Sequence, residues 1–264
     1  MLTEVKNHIK LIFISLKYNL LKSMDNRTAF IFQILGMALN NAVMIIQWIV
    51  LFSIKDNIGG YTFNDILLLW GLAATTYGVA HAFFESSFTL SNLIIEGKLD
   101  AFLVQPKDTL LYVSTSKMKV SALGDILYGY IILIVLSPSL KTWLLFTIFS
   151  ITGGLIAASV AIIMNSLTFY FGSSEELANT INNAIVNSAT YPDGIFDNKI
   201  KILLLTIIPV SWTIYIPINV IKSFDFGLIL SIVLFTLFVM SLAYIIFKNG
   251  LKKYSSSNLM SARI

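Results

Sequence analysis

The sequence predicts an all-α integral membrane protein with six transmembrane helices and an N-terminal interfacial elbow helix. Three observations predict it. Hydrophobic residues make up 56% of the 264 residues and charged residues only 12%, against about 25% charge in a soluble domain. The mean hydropathy is +0.81. The apolar residues gather into long runs, and a run of about 18 can cross the ~30 Å hydrocarbon layer. Backbone in lipid must satisfy its own hydrogen bonds, and the alternation of a barrel is absent, so these runs read as helices. One bundle is expected rather than two domains.

Residues 1–27 form the expected elbow. Val5, Ile9, Ile12, Leu16 and Leu20 share one face of a helix over residues 3–22, with Lys6, Lys10 and Lys17 off it. That pattern suits a helix lying in the membrane interface. Five charge-free runs follow, Thr28–Ile54, Ile66–Phe84, Thr142–Ser174, Ile202–Ile221 and Phe226–Phe247, and a sixth, Val120–Leu140, holds only Asp125. Lysine and arginine set the orientation. They crowd the N-terminal segment (Lys6, Lys10, Lys17, Lys22, Arg27), the Leu93–Lys119 segment and the tail (Lys248, Lys252, Lys253, Arg263). Lys55 and Lys141 stand alone in the intervening loops. N- and C-termini are therefore expected in the cytoplasm, which needs an even number of spans.

Residues 175–198 allow two arrangements. Glu175, Glu176, Asn179, Asn182, Asn183 and Asn187 suit a cytoplasmic connection before a span at 202–221, as Lys199 and Lys201 favour. Alternatively 175–191 is the fifth span, buried in the bundle, and 198–222, broken by Pro209 and Pro217, is a re-entrant hairpin.

Polar side chains within spans are costly and mark candidate sites. Gln33, Asn40 and Gln47 lie on one face of the first span, beside Gly36. Tyr77, His81 and Glu85 are spaced by four on the second, and Asn92 extends the stripe. Asp125 with Tyr128, then Asn165 on the small face of Gly154, Ala158 and Ala161, and then Asn179, Asn183 and Asn187 complete the translocation-path candidates. The plainer reading of the amides and small residues is helix packing. An ionisable His81–Glu85 pair in lipid asks for a function more insistently. Enzyme chemistry has little support. There is no cysteine, His8 and His81 make no metal cluster, and the serines lack a catalytic partner at recognisable spacing. No G-x-x-x-x-G-K-[ST] loop occurs. Neither metal nor nucleic acid is expected, since the cations flank apolar runs where membrane lipid is the natural partner.

The segment Glu96-Gly97-Lys98-Leu99-Asp100-Ala101-Phe102-Leu103-Val104-Gln105-Pro106 is the most distinctive. Gly97 lets the chain turn, and Pro106 terminates a short amphipathic helix on the membrane surface. Leu99, Phe102 and Leu103 are its expected docking knobs for a cytoplasmic partner. This stretch resembles the first cytoplasmic loop of ABC-2 type permeases, in particular a bacterial branch with a Gly-x-Leu-Asp-x-Phe-Leu-x-Gln-Pro motif. Tyr191-Pro192, the steps at Pro209 and Pro217, and the ending Gly250-Leu251-Lys252-Lys253-Tyr254-Ser255-Ser256-Ser257-Asn258 are similar as well.

The resemblance implies an ABC-2, type V exporter-like architecture. Its spans would lie near 28–54, 66–92, 118–140, 142–173, 175–191 and 226–248, with the outer hairpin at 198–222. It makes Glu96, Gly97, Leu99, Asp100, Phe102, Leu103, Gln105 and Pro106 the ATPase-coupling residues. It further implies two separately encoded ABC ATPase subunits, which carry the ATP and Mg. A second permease, identical or homologous, would stand beside this one in the bacterial cell membrane. The cargo stays open among drug, peptide, lipid and glycan. The competing expectation is an ion-coupled secondary transporter or membrane-embedded enzyme using Glu85, His81 and Asp125.

Overall fold

The computed structural model describes residues 2–136 and 139–255. Tail residues Ser256, Ser257, Asn258 and Arg263, and the turn residue Ser137, lie outside the described residues, as do the side chains of Val5, Lys6 and Ile9. Every named element is helical. In chain order they are α1 (Leu2–Ser23), α2 (Arg27–Ile54), α3 (Phe63–Phe88), α4 (Leu90–Ile95), α5 (Asp100–Leu103), α6 (Thr109–Ser114) and α7 (Ala122–Val135). Then come α8 (Leu140–Ser166), α9 (Thr168–Phe171), α10 (Glu175–Ala189), α11 (Asn198–Thr206), a π turn (Ser211–Tyr215), α12 (Ile216–Lys222) and α13 (Phe226–Leu251).

Caps fix where the helices begin. Asn26 accepts from the Ala29 amide, Asp108 from Leu111, Ser139 from Thr142, Asp197 from Ile200 and Asp225 from Leu228. Thr62 and Asp65 form a reciprocal capping box, which starts α3 three residues ahead of its apolar run.

Among the described residues four helices are long and apolar enough to cross a membrane: Arg27–Ile54, Phe63–Ile95, Leu140–Phe171 and Phe226–Leu251. The pair Asn198–Thr206 and Ser211–Lys222, bent by 84°, makes a fifth if counted as one span. Length and composition thus give four or five spans where six were expected. The difference has two sources. The run expected at 118–140 is helical only over Ala122–Val135, about 21 Å at 1.5 Å per residue. Its N-terminal end is diverted because the Lys119 amide donates to the His81 carbonyl at 3.1 Å. The other source is α10, which is helical but, at 15 residues, too short as well as too polar to pass.

The bend between α11 and α12 stems from its prolines. Pro209 cannot donate, and the Val210 amide turns back on Ile208 at 2.7 Å. Pro217 in the first turn of α12 leaves the preceding turn to widen into the π form. The Trp212 indole N–H donates to the Leu205 carbonyl at 3.0 Å and its ring stacks on Phe235 at 4.4 Å, clasping the two arms. Lys222 meets Asp65 at 3.0 Å, and Tyr61 donates to Asp193 at 2.8 Å, so the bent pair sits over the start of α3.

The bundle is built around α3 and α8. In their most apolar stretches 72% and 67% of residues are buried, against 6% for α2 and 22% for α13. Close packing replaces the hydrophobic effect as the force between helices in lipid. Small residues supply it: a Cβ on Gly154 would meet Val79 at 2.7 Å, and one on Gly153 would meet Thr76 at 2.8 Å. Hydroxyls in the spans fold back on their own helices, as Thr75 does on Gly71 at 2.8 Å and Ser150 on Phe146 at 2.8 Å.

The α1 helix buries Leu11 and half-buries Ile12, Ser15, Leu16, Asn19 and Leu20, while Phe13 and Tyr18 are exposed. The Asn19 amide donates to the Thr115 carbonyl at 3.2 Å, tying α1 to the end of α6. Asp108 joins α6 to α13, accepting from Tyr244 at 3.0 Å and from Lys248 at 3.3 Å. Burial raises the Asp108 carboxyl, but the Leu111 amide, Tyr244 and Lys248 outweigh it and hold the group below the ordinary carboxylate range. A depressed folded value stabilises above the unfolded value and is lost as pH falls through the folded one. The α6–α13 clip is therefore expected to persist from neutral pH down through the ordinary aspartate range and to loosen only below it. Amide hydrogen exchange of residues 109–114 across an acid titration checks this.

Candidate functional site

The site is a cavity of about 630 Å³ between α2, α3, α7 and α10. Its wall includes Asn40, Asn41 and Gln47 from α2, and Trp70, Tyr77 and His81 from α3. Asp125 of α7 and Asn182 and Asn187 of α10 complete it, with Lys119 and Tyr191 at its ends.

Two glycines of α7 set the distances between its walls. A Cβ on Gly124 would strike the Ile34 carbonyl oxygen, and one on Gly129 would strike the Thr75 hydroxyl. The α7 backbone consequently lies against α2 on one side and α3 on the other. The approach to α2 brings Asn41 Nδ2 within 2.6 Å of Asp125 Oδ1, and both residues are buried. The amide donates and the carboxylate accepts, so neither group is left unsatisfied in an apolar setting. Asp125 also sits in the first turn of α7, where the helix dipole favours a negative group.

On the α3 wall, His81 Nδ1 lies 2.6 Å from Glu85 Oε2, one helical turn away. With the carboxylate ionised, Nδ1 is the donor of this pair. His81 also stacks on Phe88 at 4.1 Å. Phe84, between these residues, leaves helical geometry at φ −134° and ψ 32°. The cause is the Lys119 amide, which takes the His81 carbonyl from outside the helix. Near the other end the Trp70 indole N–H donates to the Thr190 carbonyl at 3.0 Å, and Tyr191 meets Trp48 edge-on at 5.9 Å. The buried Tyr77 hydroxyl, in the wall, has no partner among the described residues.

Of the residues singled out in the sequence, Asn40, Gln47, Tyr77, His81, Asp125, Asn182 and Asn187 meet in this cavity. Glu85 touches it through His81. Gln33, Asn179 and Asn183 do not reach it. They are exposed, where the second arrangement of 175–222 had the asparagines facing inward. Asn165 is also elsewhere: it is 1% exposed, donates to the Ala161 carbonyl at 2.9 Å and the Ser87 carbonyl at 3.3 Å, and accepts from the Ser91 amide at 3.3 Å. It joins α8 to the break after α3 as a packing residue. Asn41 and Trp70 were not singled out in the sequence, and Lys119 and Tyr191 only as the end of a basic segment and as part of the resemblance. Asn41 is adjacent to Asn40, and only the helical phase separates the buried amide from the exposed one.

The 96–106 segment lies at the end of the bundle that carries α1. Gly97 takes φ +69°, and the turn aims Leu99 back into the protein. Leu99 is 0% exposed, packed in a cluster with Leu90, Leu93, Leu110, Val113 and Phe247. It is a seat, and its burial removes it from the expected set of outward knobs. The helical part is only Asp100–Leu103. Phe102 is half-buried against Tyr112, with ring centroids 5.2 Å apart. The exposed apolar edge consists of Ile95, Leu103 and Val104. Glu96, Gln105 and Pro106 are exposed around it, Asp100 is half-buried, and Glu96 pairs with Lys98.

A family model described as an ABC-2 family transporter protein matches residues 38–258. Neither a curated protein nor a solved structure gives a match. The matched stretch holds the cavity, the 96–106 segment and the bent pair, and it accounts for most of the protein. The chain belongs to the ABC-2 family of transporter proteins and is a multi-pass membrane permease.

Proposed function

We propose that this permease exports its cargo with energy from separately encoded ABC ATPase subunits, two to a complex, which bind at the 96–106 segment. The observation that carries this reading is the segment's construction. Leu99 locks it to the bundle, while Ile95, Leu103 and Val104 stand exposed beside it. An apolar edge on a rigid seat suits a partner that must push on the bundle. ABC-2 permeases generally work with ABC ATPases. ATP binding would have to favour one arrangement of the spans over another, since a ligand shifts an equilibrium only by its differential affinity.

Six crossings remain the proposal, with α7 and α10 as the short and the polar ones and α11–α12 as the re-entrant hairpin. Contacts support it: Asn92 near the end of α3 meets Glu175 at the start of α10 at 3.0 Å, and Trp70 near the start of α3 meets Thr190 just past the end of α10. The two helices run antiparallel over the same depth. α1, the 96–121 segment and the end of α13 share one end of the bundle, with Lys17, Lys22, Lys98, Lys107, Lys248 and Lys252. That end is assigned to the cytoplasm of a bacterial cell.

A second permease, identical or homologous, would cover the face of α2 and α10. Gln33, Asn40, Gln47, Asn179 and Asn183 are exposed there, and amides facing lipid are costly. The cavity opens on the same face through Asn40 and Gln47, so cargo would pass near the seam. Aromatic walls with scattered amides suit an amphipathic drug, peptide or lipid-like cargo.

Two variants test the docking edge. Leu103→Asp with Val104→Asp is expected to abolish pull-down of the ATPase while leaving the melting temperature in detergent unchanged. Leu99→Ala is expected to cost about 2–5 kcal/mol of stability and to reduce association only in step with the folded fraction. Wild-type association by the double variant would overturn the docking role. The rival reading, ion coupling through His81, Glu85 and Asp125, rests on the close His81–Glu85 pair. It requires transport without nucleotide, and normal transport by Glu85→Gln would remove it.

A further inference from the structure

Two clefts on the outside of the bundle, away from the cavity, meet at His8 and Asp108. The first, about 320 Å³, runs between α6, α8 and α13 and is lined by Leu110, Leu155, Ile162, Met240 and Ala243 among others. Its walls are almost wholly apolar, and Met240 and Tyr244 are exposed at its rim. The second, about 690 Å³, lies between α1 and residues 105–108, with Asn7, Lys10, Gln105 and Lys107 in its wall. Together they form an apolar slot that opens into a polar, basic mouth.

The charges at the mouth are unequal. Asp108, the acidic residue in both walls, is already engaged by the Leu111 amide at 3.0 Å, Tyr244 at 3.0 Å and Lys248 at 3.3 Å. Lys10 and Lys107 are exposed, and Lys107 lies 4.8 Å from the Tyr112 ring centre, which steadies the ammonium without neutralising it. Among the described residues the mouth therefore offers two lysine cations to a solute and one carboxylate already compensated. A slot for hydrocarbon below a pair of cations fits one chemistry best, a lipid with an anionic phosphate head.

We propose that the joined clefts bind an anionic phospholipid of the leaflet at the α1 end, with an acyl chain between α6, α8 and α13 and the phosphate against Lys10 and Lys107. The lipid would be a structural ligand that fastens α1 to the bundle, and it is independent of the cargo. The site rests on the membrane-spanning reading of the family, not on the ATPase partner.

The test uses the full chain reconstituted in nanodiscs of equal phosphatidylglycerol and phosphatidylcholine, then released for native mass spectrometry. The wild type should retain phosphatidylglycerol in preference to phosphatidylcholine. Lys10→Glu with Lys107→Glu should lower that retention about fivefold or more, since each cation near a membrane surface contributes on that order. Both lysines are exposed, so the variant should fold, and an unchanged melting temperature in neutral detergent verifies it. Should it not fold, Lys10→Gln with Lys107→Gln serves the same comparison. Met240→Trp, which narrows the slot at its exposed rim, should lower retention of the same lipid. Equal retention of the two lipids by the wild type overturns the proposal, as does unchanged phosphatidylglycerol retention in the charge variants. Displacement of the lipid by excess inorganic phosphate would show a free-anion site and overturn it equally.

Discussion

Gly129→Leu is expected to leave little folded protein. A Cβ at this position would overlap the Thr75 hydroxyl and crowd the Gly71 carbonyl, and neither can yield because both belong to the centre of α3. The hydroxyl is itself held on the Gly71 carbonyl at 2.8 Å, and that carbonyl is backbone, so little can give way and the cost should exceed the usual 1–3 kcal/mol of overpacking. Gly129→Ala should already be severe. Gly36→Leu on α2 supplies the control, since a Cβ there meets nothing within 4 Å. Size-exclusion profiles and thermal unfolding in detergent would separate the two. A monodisperse Gly129→Leu protein with wild-type stability would mean that α3 and α7 do not approach as described.

Asn41→Leu is the second large effect. It strips the buried Asp125 carboxylate of its hydrogen bond from α2 and leaves an ionisable group without that donor in the cavity wall. A buried group abandoned by its partner costs about 2–4 kcal/mol. Asp125→Asn preserves a hydrogen-bonding pair with Asn41 and should cost much less. Asn41→Leu combined with Asp125→Leu removes the unsatisfied group altogether and should recover part of the lost stability. That recovery, read from unfolding curves of the wild type, Asn41→Leu, Asp125→Leu and the double variant, is the signature of a coupled pair. Simple addition of the two single effects would exclude it. Asn40→Leu, one residue away and exposed, should change stability by less than about 0.5 kcal/mol.

How much of this was legible in the sequence depends on the kind of signal. The runs that became α2, α8 and α13 were plain because length and apolarity are local properties. The His81–Glu85 turn was plain because i, i+4 spacing is local too. What failed to show was set by other parts of the chain. Nothing near residue 120 says that its helix must wait until Ala122, because the bond that delays it runs to His81. Leu99 and Leu103 look alike in a helical projection. Yet Gly97 and the cluster around Phe247 send one inward and leave the other out. The asparagines of α10 face inward only in the second arrangement, which the family resemblance favours, and Asn179 and Asn183 are instead exposed. Polarity marks a face as special without saying whether its partner is on the same chain.

The bond between the Lys119 amide and the His81 carbonyl has a mechanical meaning. It joins the stretch between α5 and α7 to the turn of α3 whose spiral it interrupts. A tug on that stretch need not travel along a whole helix to be felt by the imidazole. It would be delivered through a single peptide hydrogen bond, at the turn where α3 leaves helical geometry.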